Sequence, residues 1–445
     1  MFILPRDTDM TKDLLKELIQ KHQAECSKRY KILYDMYKGE HEIFKRAPKA
    51  EYKPDNRVMV NNAKYIVDVF NGYFMGKPVR ISHGNTEIND YIKMVGNMND
   101  QDDNHSEISK HMDIFGHALE LLYMNENADV GLTYVSPMEG FIIYDESIRC
   151  REIFGVRYYT NHDRKLEGSF SDGEFITYFV DDGKEIVFDE PQRHYFGEVP
   201  MTEYIENEER QRAFENVGSM INALNKAISE KANDVEYFAD AYLKILGAEL
   251  SETQLKSLRD NKIINIFGQD AEKLVADFLV KPEADQTQEN LIDRLQELIF
   301  MTAMVVNYSD KNFGTASGES LSYKMFTMEN IASVKERKFS AGLKRRYKLI
   351  SNLPKSKIPT NEWMNIEFDY TRNKPKNMKE EAGIAKNLKG IVSNETLFNA
   401  IPSIVDNVAN ELERLQAEED GAEEDLHPNR VIHDGDKKEL GILDK

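Results

Sequence analysis

The sequence predicts a mainly helical α+β protein. Three observations carry that expectation: long segments at the helical period on both sides of the chain, a central stretch of short aromatic and β-branched runs, and Pro and Gly at the joints between them.

Thr11 to Arg46 reads as helical, with apolar residues at Leu14, Leu15, Leu18 and Ile19, then Tyr30, Leu33, Tyr34 and Tyr37. Pro48 and Pro54 break it, and Asn61 to Met75 forms the next helix, stopped by Gly76 and Pro78. Gly84 to Asn104 is a polar, Asn- and Asp-rich stretch, followed by a helix over Ser106 to Leu119. Glu120 to Pro200 then holds strand-like runs, and Asp182-Gly183 is a hairpin signal between two of them.

Arg212 to Leu246 carries an apolar stripe at Val217, Ile221, Leu224, Ile228, Val235, Phe238 and Tyr242. A helix of that span is roughly 50 Å long and normally packs on other helices. Gly247 ends it. Ala248 to Pro282 is a compact insertion with a helix signal (Glu252 to Arg259) and a strand-like run (Ile263 to Phe267). Asp285, with Gln288 three residues on, opens a second helix. Asn307 to Ser320 has the turn-formers of a loop, and a long helix resumes near Leu321 and runs to about Ile350. Trp363 to Tyr370 alternates like a strand. Helices follow around Lys379 to Lys389 and Asn394 to Gln416, and disorder is expected after Ala417.

A chain of 445 residues exceeds one ordinary core and implies several subdomains. No apolar run reaches the roughly 18 residues of a membrane span, and the first ten residues lack the pattern of a secretion signal. Cys26 and Cys150 alone provide no disulfide framework, which fits a reducing cytoplasm. The net charge of −20 argues against a tight DNA binder, because neutralising phosphates takes Lys and Arg. The charge is uneven. Ala417 to Lys445 holds ten acids against four bases, whereas Leu321 to Ile350 holds eight bases against two acids. A basic helix on an acidic chain needs a partner: an acidic neighbouring surface, a nucleic acid, or water.

Catalytic motifs are missing. Gly314 to Gly318 has the wrong spacing for a phosphate cradle and is followed by Glu319 instead of Lys. Asp310, Asn312 and Gly314 are spaced almost like a calcium loop, but the glycine comes one residue early and the twelfth position is Leu321. His41-Glu42 lacks the second His of a zinc site, and no nucleophile elbow occurs. The chain is therefore expected to be no enzyme and to need neither metal nor cofactor.

Two phrases carry a resemblance: SEKANDVEYFADAYLKILG (Ser229 to Gly247) and NYSDKNFGTASGESLSYK (Asn307 to Lys324), the latter continuing through Met328-Glu329-Asn330 to Lys335-Glu336-Arg337. YKILYDMYKGEH (Tyr30 to His41), NRVMVNNAKYIVDVFNGYFMGKPV (Asn56 to Val79) and NETLFNAIPSIVDNVANELER (Asn394 to Arg414) add to it. In order and spacing, about residues 25 to 415 resemble the portal proteins of long-tailed double-stranded DNA bacteriophages.

The resemblance implies a portal fold with wing, stem, clip and crown in a closed ring of about twelve subunits around a channel. It implies a wing of residues 1–211 and 321–393, and stem helices over 212–247 and 285–308. The clip falls at 248–284, a tunnel loop at 309–320, the crown at 394–416, and an acidic tail beyond 417. Partners follow from it too: further copies of the chain, double-stranded DNA passing through, the terminase large subunit, a head-completion adaptor, and the major capsid and scaffolding proteins. The implied location is the capsid portal vertex of the virion, after assembly in the host cytoplasm, with no membrane.

DNA must slide through such a ring without sticking, so an acidic lining suits it. Glu230, Asp234, Glu236, Asp240, Glu289, Asp293 and Glu297 are the candidates for that lining. In the tunnel loop, Lys311 is the candidate phosphate contact, with Asn312 as hydrogen-bond donor. Phe313 reads as a packing anchor, Gly314 and Gly318 as hinges, and Asp310 and Glu319 as the flanks. The basic face of Lys335, Arg337, Lys338, Lys344, Arg345 and Arg346 is expected to meet an acidic neighbouring subunit. The competing readings are another head-to-tail connector ring, a helical scaffold protein that touches no DNA, and a nucleic-acid enzyme.

Overall fold

The computed structural model describes residues 2–50, 53–211, 213–239, 243–246, 252–253, 275–278, 285–308, 318–374, 378–401, 404–405 and 408–426. Its folded elements are mixed helix and strand, in agreement with an α+β class.

Helix α1 (Lys12–Glu25) starts where the Thr11 hydroxyl accepts the Leu14 amide at 3.2 Å. It passes through a single π turn, Cys26–Tyr30, into α2 (Lys31–Lys38). Gly39 ends it at φ +92°, where a β-carbon would strain the backbone. The expected helix to Arg46 is therefore shorter, and a 3-10 turn covers Glu42–Lys45. Helix α3 (Asn62–Met75) is capped by Asn61, whose side chain accepts the Lys64 amide at 3.0 Å.

The polar stretch after Gly84 is helical, which corrects the sequence expectation. Asn85 caps α4 (Thr86–Met98), which buries Ile88, Ile92 and Val95; α5 (Gln101–Phe115) follows directly. The polar residues that suggested a loop lie on the outer faces. Helix α5 stops at Gly116 (φ +81°), so the chain from His117 is a strand instead of more helix.

The strands are β1 (Phe2–Leu4), β2 (Arg80–Ser82), β3 (His117–Met124), β4 (Val130–Val135), β5 (Gly140–Asp145), β6 (Glu152–Thr160) and β7 (Leu166–Ser171). They continue with β8 (Phe175–Asp181), β9 (Ile186–Phe188), β10 (Gln192–Arg193), β11 (Met201–Ile205), β12 (Leu243–Leu246), β13 (Val275–Phe278) and β14 (Glu367–Asp369). One sheet runs β1-β5-β6-β7-β8-β10 with β9 also on β8, and a second runs β11-β3-β4. The β8–β9 turn contains Asp182-Gly183, with Gly183 at φ +90°. On the large sheet, Leu15, Leu18 and Ile19 of α1 pack against Phe141, Ile143, Phe154, Val156 and Phe179. Each such aliphatic side chain stabilises the fold by roughly 1.5–3 kcal/mol relative to exposure.

Beyond Pro200 the expected helix from Arg212 to Leu246 breaks into three parts. A 3-10 turn, Glu215–Val217, leads into α6 (Gly218–Ala239), and Leu243–Leu246 is strand β12, paired antiparallel with β13. A short apolar run before a glycine fits either state, and only the distant partner strand decides it. The expected short helix at Glu252 is helical at Glu252 and Thr253; the rest of it and the Ile263 to Phe267 run lie outside the described residues. Helix α7 (Asp285–Ala303) opens at Asp285 as expected. Helix α8 (Gly318–Ser351) begins three residues before Leu321. Trp363 lies in a 3-10 turn, Glu362–Asn365, and only β14 is strand, paired with β2.

The chain divides into two compact units. Residues Met1–Phe313 and Tyr323–Asn373 form the first, and Gly314–Ser322 with Lys374–Lys445 form the second. The second holds α9 (Met378–Leu388), α10 (Asn394–Asn399) and α11 (Val408–Leu426). The expected single helix from Asn394 to Gln416 is thus two, in a sequence where Pro402 disfavours helix at the residue before it. Helix α11 also runs to Leu426, beyond the Ala417 boundary where disorder was expected. Among the described residues no helix is long and apolar enough to cross a membrane.

Candidate functional site

Helices α6 and α7 lie antiparallel. Gln288 donates to Asp234 at 2.9 Å, Lys231 pairs with Glu289, and the 3-10 turn before α6 packs along α7. Asp310, Lys311, Asn312, Phe313 and Gly314, between α7 and α8, and Asp240 after α6 lie outside the described residues. Gly318 and Glu319, expected in the loop, lie in the first turn of α8.

The inner face of α6 is apolar at its start. Val217, Ile221 and Leu224 are buried, but Val235, expected in the same stripe, is 64% exposed. Among the described residues from Asn225 onward, the buried ones on α6 are polar: Asn225, Ser229 and Asn233, four residues apart. Asn225 Oδ1 accepts the Val60 amide (2.9 Å), Ser229 Oγ accepts the Val58 amide (3.0 Å), and Asn233 Oδ1 accepts the Asn56 amide (2.6 Å). Ser229 also donates to the Val58 carbonyl at 3.1 Å and the Asn225 carbonyl at 2.7 Å. The geometry explains the match. Four helical residues advance about 6 Å, close to the 6.4–6.8 Å of two extended residues. The helix thus substitutes for a neighbouring strand and satisfies the amides of an extended segment.

Two carboxylates of α6, Glu230 and Glu236, reach the chain around the same segment. Glu230 pairs with Lys49 at 2.6 Å, and the Lys49 ammonium holds Glu230 below the usual carboxylate range despite the cost of partial burial. Glu236 accepts from Asn56. On α7, Asp293 is exposed, and Glu297, also exposed, pairs with Arg294 at 2.6 Å.

Helix α8 buries Met325, Met328, Ala332, Lys335, Phe339, Leu343, Arg346 and Ile350, a seam in steps of three or four residues. Two of its members are cations, and both are wholly enclosed. Lys335 Nζ sits 2.7 Å from Asp113 and 3.3 Å from Glu206, donates to the Ser109 carbonyl at 3.1 Å, and lies over the rings of Phe70 and Phe74. Burial pushes Asp113 up; Lys335 opposes this and Glu206 adds to it. Burial also raises Glu206. Two carboxylates share one ammonium here, and Asp113 Oδ2 accepts no hydrogen bond from the protein, as befits a site that retains a proton.

Three turns on, Arg346 forms a bidentate pair with Glu120 (2.9 and 2.6 Å), and Tyr204 donates to the same carboxylate at 2.9 Å. Arg346 also donates to His105 Nε2 at 2.7 Å. Burial and then the guanidinium push His105 well below its ordinary value, so its imidazole is a neutral acceptor. Gly342 makes this packing possible, because a β-carbon there would lie 2.4 Å from the Tyr204 ring.

Of the basic face of α8 expected to meet a neighbouring subunit, Lys335 and Arg346 are instead wholly enclosed. Lys335 and Arg346 are consumed inside their own subunit. Arg345 pairs with Glu152 and Glu198 (3.2 and 3.0 Å), Lys348 with Glu198, and Lys338 with Glu208. Arg337 and Lys344 are exposed. Residue counting could not separate the two kinds. The seam position could: Lys335 and Arg346 fall in step with the apolar residues.

A third buried cluster lies under the π turn. Glu203 receives both arms of Arg210 (2.8 Å each), His117 Nδ1 (2.7 Å) and the Tyr144 hydroxyl (2.5 Å). Burial works to raise Glu203, but Arg210 and His117 outweigh it and hold it well below the usual range. No sequence motif marked this cluster or the carboxylates Asp113, Glu120 and Glu206. Among the described residues, no group of His, Cys, Asp and Glu could hold a metal ion.

The family model described as "Phage portal protein, SPP1 Gp6-like" matches residues 15–425, from α1 through the polar ladder and the buried seam to α11. The chain belongs to this phage portal family. It is also 24% identical over 233 residues to the portal protein of Clostridium phage phiCD119, across 51% of this chain and 50% of that protein. The chain thus aligns with about half the length of that curated relative. The portal family is a structural, non-enzymatic one, in line with the absence of catalytic motifs from the sequence.

Proposed function

We propose that this portal-family chain forms a closed ring at one capsid vertex and conducts double-stranded DNA during packaging and ejection. The observation that carries the reading is the family match over residues 15–425, which spans the helix pair, the segment before α8 and α8 itself. The ring is a passive conduit: the terminase large subunit docks on residues 248–284 and supplies the energy, and a head-completion adaptor replaces it. Capsid and scaffolding proteins surround it, and the ring has about twelve copies by resemblance. It assembles in the host cytoplasm.

In that ring, Glu230, Asp234, Glu236, Asp240, Glu289, Asp293 and Glu297 keep the duplex centred by repulsion instead of holding it. Residues 309–320 reach the duplex, with Lys311 on phosphate, Asn312 beside it, and Phe313 anchoring the loop. The geometry of α8 supports this division of labour. A helix pinned by two enclosed ion-pair clusters transmits load from the segment before it into α5 and β3 without sliding. Arg337 and Lys344 remain as cations for an acidic neighbour.

Negative-stain images of the purified chain test the reading. Rings with a central channel are expected; monomers or filaments sink it. An ATPase or nuclease assay on the same rings should show no turnover.

A further inference from the structure

The turn between β5 and β6 presents Ile148 fully to solvent, at 105% relative exposure. It is a rigid turn. The Asp145 carboxylate accepts the Ser147 amide (3.2 Å), the Ser147 hydroxyl (2.6 Å) and the Arg151 amide (2.8 Å). The Cys150 amide closes onto the Ser147 carbonyl at 2.9 Å, with Cys150 held at φ +43°. An apolar side chain is thus projected on a preformed backbone, flanked by Glu146 and Arg149.

Elsewhere in the same unit, α4 and the chain after α8 enclose a hollow of about 310 Å³. Its walls are Met94, Val95, Met98, Tyr195 and Leu353. Met94, Met98 and Tyr195 are 47%, 51% and 53% exposed, an unusual grouping of large apolar surface. Tyr195 is also held at φ +64°, a strained conformation for an aromatic residue that keeps its ring on the rim. Asp129, Lys355 and Lys357 complete the edge.

We infer that the Ile148 turn of one subunit docks into the Met94–Met98–Tyr195 hollow of a second copy of this chain. The occupant follows from complementarity. An apolar knob flanked by one acid and one base meets an apolar hole edged by Asp129 and Lys355, so Arg149 faces Asp129 and Glu146 faces Lys355, while Lys357 is already paired with Glu87. Methionine walls adapt to a β-branched knob. Knob and hole are different surfaces of one chain, so the contact is head-to-tail, the kind a closed ring repeats. The inference rests on the ring reading above and names a contact within it.

Disulfide trapping in the full chain tests it. With Cys150→Ser removing the exposed thiol and Cys26 buried, Ile148→Cys and Met98→Cys are combined and exposed to a mild oxidant. A ladder of covalent dimers, trimers and higher species is expected on non-reducing gels, and neither single variant should form it. Rings seen by electron microscopy without a ladder overturn the contact while leaving the ring intact. Dimers from Ile148→Cys alone overturn it too, because they place two knobs together. A chain that stays monomeric throughout overturns the ring reading and this contact with it. Independently, Ile148→Asp should raise the concentration needed for assembly at least tenfold; unchanged assembly overturns the inference.

Discussion

Helix α6 keeps its carboxylates at or near the surface, where Glu230 and Glu236 reach across to Lys49 and Asn56. Helix α8 takes two cations, Lys335 and Arg346, completely out of water. Both helices are long, and both carry charge of one sign in excess. They differ in what the buried face is made of. On α6 it is a neutral ladder of amides and a hydroxyl that satisfies a backbone; on α8 it is apolar side chains interrupted by ions. The ladder secures an extended segment with modest, replaceable hydrogen bonds. The ions admit only one register of α8 against α5 and β3, because any slip strands a charge in a low-dielectric interior.

That difference predicts a graded set of effects. Arg346→Ala should be the most damaging, since it leaves Glu120 enclosed and unpaired. A loss of about 3–5 kcal/mol is expected in denaturant unfolding, and a loss under 1 kcal/mol would break the comparison. Lys335→Met should cost less, roughly 2–3 kcal/mol, because Asp113 and Glu206 can each take up a proton when the ammonium is gone. Urea midpoints of the two variants, compared side by side, check the order.

The pH dependence sharpens the same point. Asp113 is raised by burial, so its stabilising contribution is fully present below the ordinary carboxylate range near pH 4. That contribution is lost as pH rises towards about 8. Asp113→Asn should therefore flatten a downward slope of at most about 1.4 kcal/mol per pH unit across that window. Glu203 has the opposite sign: its stabilisation is present above the carboxylate range and lost as pH falls through it. Unfolding curves from pH 3 to pH 8 separate the two.

Smaller effects belong to α6. Ser229→Ala removes one acceptor and one donor from the Val58 peptide, and about 1–2 kcal/mol is expected, read as a lower melting temperature. Glu230→Gln breaks a pair that is 32% and 40% exposed, and the change in melting should correspond to no more than about 1 kcal/mol. A Glu230 effect as large as that of Arg346 would erase the distinction between the helices.

Much of the layout could be read directly from the residues. Asp182-Gly183 turns two strands for a local reason and does so in the structure, whereas Gly39 and Gly116, equally local helix stops, lie inside the helices expected from periodicity alone. The strand-rich centre followed from aromatic and β-branched runs. Helix α4 was legible too, in Asn85 followed by Ile88, Ile92 and Val95, but its polar outer face concealed it. The strand β12 was not legible, since its partner lies about thirty residues away. The channel-lining acids and the loop residues followed from resemblance and not from any local rule.

Sequence alone determined the class, the Asp182-Gly183 turn, the absence of catalytic motifs and the order of the phrases that place the chain among phage portal proteins. These depend on local sterics, period and residue order. Only the tertiary structure decided which carboxylates meet the cations that the helical period places in the seam. Lys335 and Arg337 differ little as residues, yet one lies between Asp113 and Glu206 and the other in solvent. The reason is physical: an ion's stability in the interior depends on opposite charges brought to it from distant parts of the chain, and no local pattern records that arrival.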